Sequence, residues 1–572
     1  MNPGRLIDHF DRISDAPDAV PRLRGFILDL AVRGKLVEQD QEDEPASELL
    51  MRIQAERVRL VDAGALRGCA ALPPAKTDEV PFDVPASWAL IRLGEALELT
   101  NGRAFKPTEW SKAGLPIIRI QNLNNPGAPF NFCDRSVPQK LHVTTGDLLI
   151  SWSGTPSTSF GAHIWDRGHA ILNQHIFRAE LISDAFRSSF LKLAINSRLL
   201  ELIAQAHGGV GLQHITKPKL ERLALTLPPL EEQQRIVAKV DELMALCDRL
   251  GAAQAERERR RDRLAAASLH RLSQPADMGK SPTFREHARF HLSNLSRFTT
   301  RPDQIPVLRQ SILNLAVRGC LVAQNPVDEP VFELIKRIQS EQAEVVRLGE
   351  LKRHDPSTAF HVLEVPFDLP SSWQWTTLER VIVFGPQNGV SPKPSSRPDA
   401  PKAITLSATT KGIFQPQYFK HVEAMIPKDS EFWLRTGDLL FQRGNTREYV
   451  GIAAYYDGEP ERFLYPDLMM KVRLSKQIDL RFVHLWSIAP FARTYFSTHA
   501  SGAQSTMPKI NQATLVRLPL ALPPVAEQHR IVAKVDELMA VCDRFEAQLT
   551  TAQTESRLLL EAVLHEALVP AA

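Results

Sequence analysis

The chain is poor in cysteine and contains no long apolar run. Its five cysteines are widely spaced and include no CxxC pair, which argues against a disulfide framework and favours a reducing compartment. No apolar stretch approaches the roughly 20 residues that a membrane-spanning helix requires. The N-terminal MNPGRLIDHFDRISD also lacks the apolar core of a signal peptide. We therefore expect a cytoplasmic protein with no membrane segment.

Motifs for catalysis are absent as well. The sequence has no Asn/Asp-Pro-Pro-Tyr/Phe tetrapeptide of an amino-methyltransferase and no GxGxxG that opens a helix. Met278–Ser281 ends like a phosphate-binding loop but lacks its first glycine, and Pro466-Asp467 is followed by no D/E-x-K at nuclease spacing. His175, in LNQHIFR, has no partner at metal or triad spacing. The sequence therefore predicts no active site and no directly bound metal or cofactor.

What the chain does contain is a duplication. LPPLEEQQRIVAKVDELMALCDR (Leu227–Arg249) returns as LPPVAEQHRIVAKVDELMAVCDR (Leu522–Arg544), with 19 of 23 positions identical. Near the N-terminus, Val20–Gln54 returns in similar form as Ile305–Gln339. Between Trp88 and the first LPP motif, and in the matching part of the second half, the two copies barely resemble each other. Each half is thus a variable segment between two repeated ones.

These repeats divide the chain of 572 residues, which is too long for one core, into six parts. They are an N-terminal helical repeat (1–87), a first variable segment (88–226), a central helix (227–272), a linker with the second helical repeat (273–372), a second variable segment (373–521) and a C-terminal helix (522–572).

Charge also distinguishes the parts. The first variable segment, from Trp88 to Thr226, has 15 Lys/Arg against 10 Asp/Glu, and the second, from Trp373 to Ala521, has 18 against 12. Because the whole chain is only +3, the repeated parts are net acidic. This partition favours variable segments that meet phosphate and repeats that meet protein.

The repeated motifs predict two helices of about 40 residues that start after Pro-Pro. Their apolar positions follow a spacing of 4, 3, 4, 3, which is typical of a coiled-coil seam. Two arrangements are open: the helices pair antiparallel, or each packs on its own domain. The charged Ala255–Leu264 favours a solvated helix face, because acids alternate with its arginines. The seam positions are Ile236, Val240, Leu243, Cys247 and Leu250 in one helix and Ile531, Val535, Leu538, Cys542, Phe545 and Leu549 in the other.

The variable segments are rich in turns and short apolar alternation, which predicts mixed α+β domains. Their loops carry Arg, Asn, Gln, Ser and Thr beside glycine, side chains that suit base edges and phosphates, although polar loops occur in any α+β domain. The predicted strands are Leu115–Leu123, Gly146–Trp152, Ala162–Asp166, Ala403–Ala408 and Gly437–Arg443, and the predicted helices are Phe186–His207 and Leu480–Phe496.

The doubled LPPLxEQxRIVxKVDELM motif, placed around two divergent domains, resembles the specificity (S) subunit of type I restriction–modification enzymes, the HsdS family. IIRIQNLNN, TGDLLISWSGT and LNQHIFR resemble motifs of its target-recognition domains, and LAVRGKLV with DEPASELL resembles an additional repeat of part of the family. The second variable segment departs more: GDLLFQRGNT lacks Trp-Ser-Gly, and LYPDLMMKV stands where LNQHIFR would be.

This resemblance implies a noncatalytic reader of double-stranded DNA whose two target-recognition domains each bind one half of a bipartite, asymmetric target. It implies docking of two modification (methyltransferase) subunits that carry S-adenosylmethionine, and of restriction subunits that use ATP and Mg. The implied fold class is α+β, with two mixed α/β domains separated by long helices in an antiparallel coiled coil, related by internal pseudo-twofold duplication. Two alternatives are a standalone methyltransferase fusion and a noncatalytic coiled-coil scaffold.

Within this framework we expect polar loop residues of both variable segments to contact DNA. They are Arg103, Lys106, Arg119, Gln121, Asn122 and Ser153 in the first segment, and Lys411, Arg443, Asn445, Thr446 and Arg447 in the second.

Overall fold

The computed structural model describes residues 16, 18–66, 72–154, 159–198, 203, 213–272, 282–349, 367–501 and 507–568. The chain forms two compact units. Unit 1 comprises Met1–Glu256 and Gln553–Ala572, and unit 2 comprises Arg257–Ala552. Each unit contains one variable segment and combines helices with small sheets, so the α+β prediction is confirmed. Among the described residues, no helix has the length and hydropathy needed to cross a bilayer.

The first half of the chain contains seven helices and twelve strands among its described residues. The helices are α1 (Ala19–Val32), α2 (Ala46–Asp62), α3 (Leu93–Ala96), α4 (Ile120–Asn124), α5 (Ser188–Ser197), α6 (Lys217–Glu221) and α7 (Leu230–Leu272). The strands are β1 (Ala89–Arg92), β2 (Leu97–Asn101), β3 (Leu115–Ile118), β4 (Asn131–Cys133), β5 (His142–Val143), β6 (Leu148–Ser151), β7 (Ser153–Gly154), β8 (Gly161–Ile164), β9 (Ala170–Leu172), β10 (Ile176–Leu181), β11 (Gln213–His214) and β12 (Ala224–Leu227).

The second half continues the same numbering. Its helices are α8 (Pro282–Ser293), α9 (Leu295–Phe298), α10 (Ile305–Val317), α11 (Val331–Arg347), α12 (Leu480–Ile488), α13 (Pro490–His499), α14 (Gln512–Val516) and α15 (Val525–Leu568). Its strands are β13 (Gln374–Thr377), β14 (Ile382–Asn388), β15 (Lys402–Ile404), β16 (Phe419–His421), β17 (Leu439–Gln442), β18 (Ala453–Tyr455), β19 (Met469–Leu474) and β20 (Pro519–Leu522).

The main sheet has the same topology in both variable segments although their sequences diverge. Each has a four-stranded antiparallel sheet, in the order β2-β10-β6-β8 in unit 1 and β14-β19-β17-β18 in unit 2. Unit 1 also has a mixed four-stranded sheet, β4-β3-β9-β5, and unit 2 a two-stranded sheet, β15-β16. In addition, the first and last strands of each segment pair with each other, β1 with β12 and β13 with β20. Each variable segment therefore starts and ends at the same place in its unit.

The two long helices begin as predicted, directly after the Pro-Pro pairs. Helix α7 has 43 residues and α15 has 44. Proline cannot donate a backbone hydrogen bond, so it is tolerated where the first amides of a helix have no partner. Acidic residues in the first turn, Glu231 and Glu232 in α7 and Glu527 in α15, complement the positive end of the helix dipole.

The N-terminal repeats form the predicted helix pairs, α1–α2 and α10–α11. Gly34 follows the end of α1 with φ of +68°, and a Cβ there would lie 2.6 Å from Pro85 Cγ. Gly319 repeats this arrangement with φ of +70° and Pro370 Cγ at 2.5 Å. Glycine is therefore required at both helix ends. Pro45 is the N-cap residue directly before α2.

Ten of the eleven predicted seam positions pack in or against the core of their own unit, and the half-buried Leu250 lies outside that cluster. Ile236, Val240 and Cys247 are buried with the sheet and α1–α2 of unit 1, and Leu243 packs against the same cluster. In unit 2 the corresponding core includes the equivalents Ile531, Val535 and Cys542, with Leu538, Phe545 and Leu549 packed against it. These positions are thus buried as in the second arrangement, in which each helix packs on its own domain. The antiparallel pairing of α7 with α15 remains a prediction.

The C-terminal part of each long helix has its own anchor. In unit 2, Glu258 and Asp262 on α7 both bind Arg301, and the Asp262 contact measures 3.1 Å. In unit 1, Leu560 and Leu564 on α15 pack with Ala16 and Ala19. Most of the arginines in Ala255–Leu264 are exposed, in agreement with the predicted solvated face.

Several predicted elements are shorter than expected. The strand predicted over Leu115–Leu123 ends at Ile118 and continues as α4, and that over Ala403–Ala408 ends at Ile404 before a 3-10 turn. The helix predicted over Leu480–Phe496 is broken at Pro490, whose missing N–H separates α12 from α13. Of the helix predicted over Phe186–His207, the structure has Ser188–Ser197; residues 199–202 and 204–207 lie outside the described part, as does Met278–Ser281.

Candidate functional site

The repeated motif holds each long helix to its own variable segment. Trp88 Nε1 donates a hydrogen bond of 2.9 Å to Glu232 Oε2, and Trp373 Nε1 donates one of 3.0 Å to Glu527 Oε1. Both carboxyl groups are fully buried. Burial raises the pKa of Glu232 and of Glu527 above the ordinary range for glutamate. The tryptophan at the start of each variable segment is thus hydrogen-bonded to a glutamate of the long helix that follows the segment.

The neighbouring motif residues make further equivalent bonds. Gln233 donates to Pro228 O (3.1 Å) and Gln528 donates to Pro523 O (2.9 Å), and each also accepts a hydrogen bond from a backbone amide of its own unit. Two ion pairs then tie the helices to the N-terminal repeats, Arg235–Asp43 and Arg530–Asp328, both at 2.7 Å. The repetition of this Glu-Gln-x-Arg set is therefore explained by the fold.

A second set of identical residues is not explained by burial. From Ala238 onwards, six exposed positions of α7 lie on the face opposite the buried positions, and their counterparts on α15 carry the same residues. Substitutions between the two copies of the motif occur at other exposed or half-exposed positions, such as Gln234/His529 and Leu246/Val541. We call the six positions the repeat stripe: Ala238, Asp241, Glu242, Ala245, Asp248 and Arg249, with Ala533, Asp536, Glu537, Ala540, Asp543 and Arg544.

In the variable segment of unit 1, the loops singled out by sequence meet at one end of the four-stranded sheet. Backbone bonds join the end of β2, the turn before β10, the end of β3 and the end of β6. They run from Gly102 N to Ile176 O (3.1 Å), Arg103 N to Leu172 O (3.3 Å), Asn173 N to Ile118 O (3.2 Å), Trp152 N to His175 O (3.1 Å) and Ile215 N to Trp152 O (3.0 Å).

Unit 2 repeats this frame. In each unit, we call the segments joined by these bonds the rim. The backbone bonds of unit 2 establish which residues of the two rims correspond. They run from Gly389 N to Met469 O (3.2 Å), Val390 N to Tyr465 O (2.9 Å), Arg443 N to Leu468 O (2.7 Å) and Ile510 N to Arg443 O (2.9 Å).

Glycine is needed at the position in each unit where two backbone segments of the rim approach most closely. A Cβ on Gly102 would lie 1.9 Å from Asn173 O, and one on Gly389 would lie 2.1 Å from Tyr465 O. The glycine of the TNGRAFK loop (Thr100–Lys106) therefore allows one segment of the chain to approach another closely. Both units have an Asn-Gly dipeptide at this close approach, in TNGR and QNGV. This shared dipeptide was the sequence signal from which the close approach could have been predicted.

The two rims share one backbone arrangement, but their side chains differ. Position by position, the bonds above match Arg103 with Val390, Trp152 with Arg443, and His175 with Leu468. The paired strands and bridges beside them match His214 with Lys509 and Ser153 with Gly444. At two of these positions the rim of unit 1 carries an aromatic or imidazole ring, Trp152 and His214, where that of unit 2 carries a cation, Arg443 and Lys509.

In unit 1, Trp152 is the centre of this cluster. Its ring stacks on that of Phe177, with the ring centres 5.5 Å apart. The centres of the His175 and His214 rings lie 5.1 and 5.9 Å from that of Trp152. Burial, with a smaller effect of His214, lowers the pKa of His175. A neutral imidazole and an indole offer flat surfaces and single hydrogen-bonding groups rather than charge. Trp152 and His214 were missed by sequence reasoning, which singled out Arg, Lys, amide and hydroxyl side chains.

Four of the six predicted contacts of unit 1 lie at the surface. Lys106 and Gln121 are exposed. Arg103 is half-buried, with Nη2 2.8 Å from Glu109 Oε1 and its guanidinium 4.2 Å from the centre of the Phe105 ring. Arg119 is also half-buried, and its Nη2 donates to Pro129 O at 3.2 Å.

The structure corrects the other two. Asn122 is fully buried: its Oδ1 accepts from Arg119 N (3.1 Å) and its Nδ2 donates to Ala128 O (3.1 Å). Ser153 is also buried, and its Oγ lies 2.6 Å from His214 Nδ1. Their polar groups are used inside the chain, so we no longer expect either to contact DNA.

In unit 2, the five predicted residues lie close to the end of β17. Thr446 and Arg447 are exposed and Arg443 is half-buried. The Asn445 side chain is engaged internally, donating to Gln442 Oε1 (2.5 Å) and accepting from Thr446 N (2.7 Å). Gln442 Nε2 in turn donates to Thr410 Oγ1 (3.1 Å), which brings the exposed Lys411 to the same end of the sheet. Among the described residues no group of three or more His, Cys, Asp or Glu side chains could hold a metal ion.

This architecture of two matched units, each with a rim at one end of a small sheet, agrees with sequence comparisons. The family model for the type I restriction modification DNA specificity domain matches twice, over residues 85–256 and 372–552. The chain therefore belongs to the type I restriction–modification DNA specificity family, as predicted. The family membership supports a DNA-specificity protein over a methyltransferase fusion or a scaffold.

Individual relatives have matching lengths. The chain is 28% identical over 564 residues to the type I restriction enzyme EcoEI specificity subunit of Escherichia coli, covering 96% of this chain and 94% of that protein. It is 28% identical to the EcoAI specificity subunit of E. coli, with the same coverage, over 562 residues. Among solved structures, the HsdS subunit of Thermoanaerobacter tengcongensis matches 85% of this chain and 98% of its own, at 17% identity and a TM-score of 0.40.

Proposed function

We propose that each unit of this chain reads one half of a bipartite, asymmetric DNA target. The observation that carries the proposal is the rim: one backbone frame is built twice, and the side chains on it differ between the units. A common frame can approach DNA in the same way at both half-sites, while different side chains present different donors and acceptors to the base edges.

Charge supports contact with the DNA backbone. Both variable segments are net basic, and lysine or arginine is exposed near each rim, at Lys106 in unit 1 and at Lys411, Arg447 and Lys509 in unit 2. Such residues would bind phosphates and set the register of the domain without reading sequence. The side chains on the frame itself would supply the sequence preference.

The repeat stripe supports docking of two copies of one partner. Six exposed positions of α7 carry the same residues as their counterparts on α15, as two equivalent docking surfaces require. Asp248 and Asp543 also make equivalent ion pairs within the chain, with Arg24 and Arg309. The partners would be modification subunits, which carry S-adenosylmethionine, followed by restriction subunits, which use ATP and Mg. The chain would contribute specificity and no catalysis, so it would hold neither cofactor itself.

The proposal is tested by mapping methylated bases in DNA exposed to three preparations: this chain alone, the modification subunit of the same system alone, and both together. Only the combination should methylate DNA, at a target with two unequal specific parts separated by a nonspecific gap. Methylation by the chain alone, or a continuous target without a gap, would overturn the proposal.

A further inference from the structure

A two-residue turn leads into the central strand of each sheet, β10 in unit 1 and β19 in unit 2. Its first residue is Gln174 in unit 1 and Asp467 in unit 2, and both side chains are exposed. Their equivalence follows from the next residue, since His175 O accepts from Trp152 N as Leu468 O accepts from Arg443 N. The turn therefore presents one solvent-facing side chain at the same position of each rim.

The backbone of this turn is held on several sides. In unit 1, Gln174 N donates to Arg103 O at 2.9 Å. In unit 2, Leu468 O accepts from Arg443 N and also from Gly444 N, at 2.7 and 3.3 Å. The backbone of this turn is therefore fixed before a ligand binds, and only the side chain has to be ordered on binding.

The two side chains differ in hydrogen-bonding pattern. Gln174 has one acceptor and two donor protons, whereas the Asp467 carboxylate only accepts. Ser391 Oγ donates to Asp467 Oδ1 at 2.5 Å and so orients the carboxylate. A carboxylate on a cationic rim repels phosphate, so in a complex with DNA its favourable contact is with a base amino group.

We propose that Gln174 and Asp467 are specificity-determining residues, one for each half-site. Gln174 reads an adenine through N6 and N7, and Asp467 accepts a hydrogen bond from the N4 amino group of a cytosine. This inference rests on the proposed function and names the side chains that carry part of it.

The test uses the complex with the modification subunits and a library of DNA with randomised half-sites. Gln174→Glu and Asp467→Asn keep the side-chain size and change the donor–acceptor pattern. Gln174→Glu should change the preference at one base pair of the first half-site by about tenfold or more and leave the second half-site intact. Asp467→Asn should do the reverse, so each variant is the control for the other.

Gln174→Ala and Asp467→Ala should relax the same single positions, with melting temperatures close to that of the unaltered chain because both side chains are exposed. Unchanged preferences in all four variants would overturn the inference, and so would an equal loss of affinity for every sequence. If the unaltered complex showed no two-part target, the proposed function would fail and this inference with it.

Discussion

The indole Nε1 of Trp88 donates a hydrogen bond to the carboxylate of Glu232, 144 residues later in the chain, at a distance of 2.9 Å. Trp373 and Glu527 repeat the contact at 3.0 Å. In each unit the bond joins the first residue of the variable segment to the long helix that follows it. The variable segments can therefore diverge while their attachment to the repeats stays the same.

Removal of this donor should destabilise unit 1. Trp88→Phe leaves a buried carboxyl group without its indole partner and should lower the free energy of unfolding by about 1–3 kcal/mol. Urea unfolding measures the loss. Trp110→Phe is the matched control, because Trp110 is exposed, and should change stability by about 0.5 kcal/mol or less. Equal effects of the two variants would contradict the role of the Trp88 bond.

The same pair gives a pH dependence with a definite sign. Burial raises the pKa of Glu232 above the ordinary value of 4.5, so the folded chain holds this proton more tightly than the unfolded chain. The associated stability is fully present below pH 4.5 and is lost as pH rises through the folded pKa. Relative to Glu232→Gln, which cannot ionise, the unaltered chain should lose stability as pH rises from 4.5.

Urea unfolding of both proteins at several pH values tests this. Glu527→Gln should behave in the same direction, because burial also raises the pKa of Glu527. Parallel stability curves for the unaltered chain and both variants would show that neither carboxyl group has a raised pKa.

The aspartate of the TGDLL motif is expected to matter more in unit 2 than in unit 1. Asp438 is fully buried, 2.6 Å from Arg473 Nε and 3.3 Å from Lys471 Nζ, and burial lowers the pKa of that lysine. Asp438→Asn removes the buried carboxylate and leaves Glu431 to compensate both Lys471 and Arg473, so it should cost about 3 kcal/mol. Asp147→Asn removes a partly exposed contact with Arg178 (3.3 Å) and should cost about 1 kcal/mol. Hydrogen exchange resolved to the strands of each unit measures both; equal losses would refute the difference.

The parts of the fold that were predictable are those in which the sequence repeats itself. The two copies predicted the start of both long helices, because Pro-Pro acts through local backbone sterics. Pro490 carried the same kind of signal, which the prediction of one helix over Leu480–Phe496 overlooked.

The rim could not be read from sequence, because its bonds join residues far apart in the chain, such as Trp152 and Ile215. Asn122 and Ser153 were predicted as DNA contacts from their residue type. Residue type does not distinguish a polar side chain that faces solvent from one that is hydrogen-bonded within the chain. Their burial depends on Ala128 and His214, partners that loop composition does not identify.

We expect helix α7 to act as the spacer that fixes the separation between the two half-sites. Its residues up to Glu256 belong to unit 1 and those from Arg257 to unit 2. Insertion of four residues after Ala253 adds about 6 Å of helix, which corresponds to one or two base pairs at about 3.4 Å each. We expect a longer gap between unchanged half-sites when methylated bases are mapped. A changed half-site sequence with an unaltered gap would contradict the spacer role.

The most direct test of the central claim, that each unit reads its own half-site, is exchange of one variable segment. Residue Ala89 pairs with Leu227 and Arg92 with Ala224, so the ends of the first segment lie side by side and can receive another segment of the same family. Residues 88–226 are replaced by those of a specificity subunit with a different target, and methylated bases are mapped in the presence of the modification subunit. The first half-site should be replaced and the second retained; a change in both half-sites, or in neither, would contradict the account.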